Sequence, residues 1–93
     1  MRVTKYIPAS EMAGDFYEVI PISKNKVGLL ICDVMGHGVR AALVVSMLRG
    51  LIEREQLSAS SPEWFLYGLN DGLAKILNRA GITMFATALY VVI

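Results

Sequence analysis

Apolar and polar positions along this chain change from a strand period to a helical one near Gly36, and back to a strand period near Met84. The stretch Val27–Leu43, VGLLICDVMGHGVRAAL, begins as an apolar run of strand length and carries Asp33 at its end. It then breaks at Gly36, His37 and Gly38 into an Ala-rich amphipathic segment. From about His37 to Glu55, apolar residues recur at Ala41, Val44, Val45, Leu48, Leu51 and Ile52, which share one helical face, while Arg40, Arg49, Glu53 and Arg54 take the other. A second helix is expected from Ser60 or Ser61, with Pro62 in its first turn and Glu63 at capping-box spacing from Ser60. Phe65, Leu69, Leu73, Ile76 and Leu77 line its inner face, and it ends near Gly81. Gly68 and Gly72 weaken a helix, so their spacing points to close approach by a neighbouring element.

The remaining segments alternate as strands do. Val3–Ile7 stops at Pro8 and suits an edge strand, followed by a loop at Ala9–Ala13. Asp15–Ile22, a polar turn at Ser23–Lys26 and the Val27 run predict an antiparallel hairpin. Met84–Ile93 places Phe85, Thr87, Leu89, Val91 and Ile93 on one face and Met84, Ala86, Ala88, Tyr90 and Val92 on the other, which predicts a strand buried on both sides. The two helices can cover one side, and the other needs a second apolar layer. The fold class expected is α+β, an antiparallel sheet with two helices on one face, forming one partial domain over residues 1–93 that a further segment or chain completes.

Composition narrows the function classes. With 55% hydrophobic and 18% charged residues and a net charge of +1, the 93-residue chain has no basic field for nucleic acid or a membrane surface. No apolar run reaches the roughly 18–20 residues of a membrane span, and the N-terminus lacks a signal-peptide core, so a cytoplasmic protein is expected. Cys32, the one cysteine, lies in the apolar run and reads as a small buried hydrophobe in a reducing compartment.

The candidate chemistry lies in two carboxylates. A three-residue loop centred on Lys24 would pair Ile22 with Lys26 and carry Asp15 directly opposite Asp33. Like charges so placed repel, and a divalent cation reverses the penalty. Carboxylates without a histidine cluster or thiolates favour a hard ion, Mg²⁺ or Mn²⁺. A loop one residue longer or shorter would put the two on opposite faces.

Gly14-Asp15-Phe16-Tyr17-Glu18-Val19, then Cys32-Asp33-Val34-Met35-Gly36-His37-Gly38 leading into Ala41-Ala42-Leu43, and Met84-Phe85-Ala86-Thr87-Ala88-Leu89-Tyr90 follow one another along the chain. In that order they resemble the bacterial sporulation and stress-response branch of the metal-dependent, type 2C-like serine/threonine protein phosphatases. The resemblance implies part of an α-β-β-α sandwich around two metal ions, where a metal-activated water attacks a phosphoserine or phosphothreonine. It implies Asp15 and Asp33 as the catalytic, metal-holding pair, with Asp33 bridging the ions and Val34 contributing its backbone carbonyl. It further implies a domain continuing for about as many residues again, with two more metal-binding aspartates. On that footing the isolated 93 residues are expected to hold a cation weakly or not at all and to be inactive. The implied partner is a phosphoprotein of the anti-sigma-factor antagonist type. The chain departs from the pattern at Ala13, where the branch usually has glycine, and at Glu18, where it has aspartate.

Plainer readings stand beside these. Asp33 alone could cap the following helix, His37 could be a packing or capping residue, and Glu11 and Glu18 could be solvated or lie behind the ligands. Met35, Met47, Met84, Trp64 and the tyrosines read as core or interface filling. As alternatives to a phosphatase, a non-catalytic module could oligomerise through the exposed sheet, or the glycine loop could bind an anion.

Overall fold

The computed structural model describes residues 13–93. The expected Val3–Ile7 strand and Glu11 lie outside the described residues. The elements are β1 (Ala13–Ser23), β2 (Lys26–His37), α1 (Val39–Arg54), a 3-10 turn at Gln56–Ser58, α2 (Pro62–Ala80) and β3 (Ala86–Val92). The strands form an antiparallel sheet in the order β1-β2-β3. Both helices pack on one face of it, giving the expected α+β architecture.

The core forms where the helical and strand periods meet. The buried residues of α1 are Ala41, Val44, Val45, Leu48, Leu51 and Ile52, the six that its spacing selects. They pack with Phe16, Ile20, Leu30, Cys32, Val34 and Tyr90 of the sheet and Phe65, Leu69 and Leu77 of α2. α2 crosses the end of α1 closely: a Cβ at Gly72 would lie 2.5 Å from Leu51 Cδ2, and one at Gly68 would collide with the Glu55 side chain. The two glycines are therefore the contact that their spacing predicts.

α2 departs from expectation at its start and on its flank. Its N-cap is Ser61, without a side-chain capping bond, so Glu63 falls one residue short of the N3 position and the Ser60–Glu63 box does not form. Pro62 occupies the first turn, and Gly81 closes the helix in the left-handed region at φ 68°. Ile76, expected inside, is exposed, and Trp64 and Tyr67 fill no core, meeting each other edge to face on the surface with centroids 5.9 Å apart. Met35 is exposed as well. Within the described residues no helix is long and apolar enough to cross a membrane.

β3 is covered only at its C-terminal end and only on its helix-facing side, where Tyr90 is buried and Val92 half-buried while Ala86 and Ala88 stay exposed in a cleft of about 450 Å³ against α2, which corrects the expectation of a strand buried on both sides. Tyr90 turns inward, stacks on Phe65 with centroids 4.4 Å apart, and donates its hydroxyl to the Ala59 carbonyl at 2.5 Å. Gly28 leaves the space this ring needs. Phe85, Leu89, Val91 and Ile93, joined by Ile31 of β2, are exposed on the far face, because both helices lie on the near one.

Candidate metal centre

The hairpin places the carboxylates where the alternation predicts them. Asp15 and Asp33 are directly opposed across β1 and β2, in continuous register with Tyr17↔Ile31, Val19↔Leu29 and Pro21↔Val27. The turn itself is shorter than expected. Ser23, rather than Ile22, pairs with Lys26 across Lys24 and Asn25, and a register shift between Pro21 and Ser23 takes up the extra residue at Ile22. That irregularity is why the shorter turn leaves Asp15 and Asp33 on one face.

Asp33 does not end its strand. β2 runs on to His37, and beyond Asp33 the ladder shifts: Ala13 pairs with His37, so two steps along β1 match four along β2. Gly36 sits in this bulge at φ 91° and Gly38 follows at φ 86°, conformations that favour glycine. Bulges of this kind bend a strand and re-aim what it carries. Gly14 lies against the same segment, and a Cβ there would collide with the Val34 carbonyl oxygen. The glycine in place of a larger residue thus lets β1 approach the Val34 backbone.

Both carboxylates belong to the open face, Asp15 half-buried and Asp33 exposed. Val34 turns its side chain into the core, leaving only its backbone to the site. A cleft of about 310 Å³ is lined by Asp33, Val34, Met35, Gly36, Phe85, Ala86 and Thr87. None of the strand residues that share a face with Asp15 and Asp33, from Tyr17 to Pro21 and from Val27 to Ile31, is basic, so among these described residues no side chain neutralises the pair. The donors are all oxygen, which suits Mg²⁺ or Mn²⁺. Among the described residues no group of three or more His, Cys, Asp and Glu gathers around a common point, so two carboxylates are what this region contributes.

Other sequence candidates fall elsewhere. Glu18 is buried on the helix-facing side of β1, not solvated, and alternation keeps it away from Asp15 and Asp33. His37 closes β2 in backbone pairing with Ala13, and the N-cap position of α1 is taken by Gly38, not by Asp33 or His37. Cys32 is buried, and its thiol is pushed up to about 11, first by burial and then by the neighbouring Asp33 charge. It is a core residue in an unreactive state. Sequence reasoning passed over Thr87, which pairs directly with Asp33 from the β3 side. The signal was present as one hydroxyl within the apolar face Phe85–Leu89–Val91–Ile93.

The profile of the stage II sporulation protein E (SpoIIE) family matches residues 23–93. Phosphoserine phosphatase RsbP of Bacillus subtilis is 33% identical over 86 residues, covering 91% of this chain and 21% of that protein. Phosphoserine phosphatase RsbU of the same organism is 30% identical over 84 residues, covering 90% of this chain and 24% of that protein. The chain therefore spans about a fifth to a quarter of the length of these curated relatives. No solved structure matches it significantly.

Proposed function

The chain belongs to the SpoIIE family, the sporulation and stress-response branch of the type 2C-like phosphatases, and from that membership we propose that it is the N-terminal part of a metal-dependent serine/threonine protein phosphatase domain. The observation that carries the reading is the direct opposition of Asp15 and Asp33 on a sheet face where none of the described strand residues is basic. Asp15, Asp33 and the Val34 carbonyl would hold Mg²⁺ or Mn²⁺. The bound metal supplies an activated water and neutralises phosphoryl oxygens. The chain's own part is to fix two anionic ligands rigidly on paired strands and to leave their face open to an extended phosphopeptide. The substrate is a phosphoserine or phosphothreonine of a cytoplasmic regulatory phosphoprotein of the anti-sigma-factor antagonist type. Further acidic ligands come from residues beyond those described, so the 93 residues alone turn over no phosphopeptide.

A second reading has its own observation, the exposed apolar row of Ile31, Phe85, Leu89 and Val91. On it, the chain is a non-catalytic module that self-associates face to face. Phosphate release from a phosphoserine peptide with Mn²⁺ separates the two. The full-length protein should be active and its Asp33→Asn variant at least a hundredfold slower, because the isosteric amide removes a ligand charge, a loss on the order of 10²-fold or more for an electrostatic group at the reacting centre. Equal rates in the two proteins would remove Asp33 from the chemistry.

A further inference from the structure

Asp33 has a neighbour on each side across the sheet, Asp15 on β1 and Thr87 on β3, so the three side chains form a row on the open face. Thr87 is the one polar side chain that β3 places on this face, since Leu89 and Val91 follow it. Directly opposed residues have Cβ atoms about 4.5–5.5 Å apart, within which a threonine hydroxyl reaches a carboxylate directly or through one water. Two clefts, of about 310 and 190 Å³, meet at this pair, and Asp33 and Thr87 line both. Among the described residues neither side chain makes a hydrogen bond or ion pair, with each other or with a third group, so both are available to a cation.

We propose that Thr87 is a positioning residue for Asp33: its hydroxyl donates to one carboxylate oxygen and fixes the other toward Asp15, the orientation in which the pair would hold a cation. The proposal rests on the reading that Asp15 and Asp33 hold a divalent cation. An exposed aspartate rotates freely, and ordering it at the moment of binding costs affinity. A hydroxyl on a β-branched side chain, itself restricted at χ1 by the strand, orders it beforehand. Shape alone does not call for threonine here. Valine fits an extended strand equally well and is present at Val91 and Val92, so the hydroxyl is what distinguishes position 87.

Calorimetric titration of the full-length protein with MnCl₂ tests this, using Thr87→Val, Thr87→Ala, Thr87→Ser and Asp33→Asn, with the melting temperature of each metal-free protein as a control on folding. Deleting the hydroxyl should weaken Mn²⁺ binding about 10- to 100-fold, the usual effect of losing a partner that orients a metal ligand. Thr87→Ser should retain most of the affinity, and Asp33→Asn should lose more than any variant at position 87. Thr87→Ala gives the same reading if the valine variant melts lower. Wild-type affinity in both Thr87→Val and Thr87→Ala, beside a loss in Asp33→Asn, would overturn the positioning role. So would equal losses in the serine and valine variants, which would assign Thr87 to packing. Unchanged binding in Asp33→Asn would overturn the metal site itself, and the role of Thr87 with it.

Discussion

Tyr90 joins the sheet, the helix layer and the connecting turn through one side chain. Its ring lies over Phe65, its hydroxyl bonds to Ala59, and its position requires that residue 28 lack a Cβ. Tyr90→Phe should cost about 1 kcal/mol in urea unfolding, since it leaves a carbonyl on buried Ala59 without its donor. No measurable loss would mean that water replaces the bond. Burial also raises the Tyr90 pKa above its ordinary value of 10.0. The unfolded phenol ionises first as pH rises, so the contribution linked to Tyr90 is complete below pH 10 and declines above it. The urea midpoint should fall above that pH less steeply in Tyr90→Phe than in the wild type, and parallel profiles would contradict this. At the same scale, Cys32 should react with a thiol reagent at pH 8 only as fast as the chain unfolds, because it is 3% exposed. Rapid labelling of the native protein would show that the core is open there.

At the scale of elements, the core face of α1 and the body of the β1–β2 hairpin were legible in the sequence for the same reason. Each keeps one period along its length, and a slip would expose every apolar residue it carries. Irregular features were less legible. The bulge at Gly36 extends β2 beyond its apolar run, and nothing in the hydrophobic pattern marks backbone pairing that continues without it. The capping box failed because two adjacent serines offer two frames for the helix start, and hydrophobic spacing does not choose between them. Thr87 was overlooked because its partner, Asp33, belongs to a strand more than fifty residues earlier in the chain. The contrast between Ile52, 0% exposed, and Leu57, 100% exposed, provides a test of the element reading. Ile52→Ala should destabilise by about 2–5 kcal/mol, whereas Leu57→Ala should stay within about 0.5 kcal/mol of wild type. Similar midpoints for the two would mean that α1 does not hold the core.

For the whole molecule, the consequence is a two-layer body with one apolar face left open, and the same face carries the carboxylates. The chain by itself should therefore self-associate through Leu89, Val91 and their neighbours, and Leu89→Lys should shift light scattering toward monomer. A wild-type monomer at high micromolar concentration would contradict that. The half-site is a separate claim, and the paired strands provide its internal ruler. At about 3.3 Å per residue, the hairpin turn at Lys24 lies roughly 30 Å from Asp15, so a paramagnetic ion bound at one end leaves the other untouched. The most direct measurement is Mn²⁺-induced line broadening in the amide spectrum of the isotope-labelled chain at substoichiometric metal. The account predicts broadening centred on Asp15, Asp33, Val34 and Thr87, fading along the hairpin to none at Lys24 and Asn25, and abolished in Asp33→Asn. Broadening centred elsewhere, or unchanged in that variant, would contradict it.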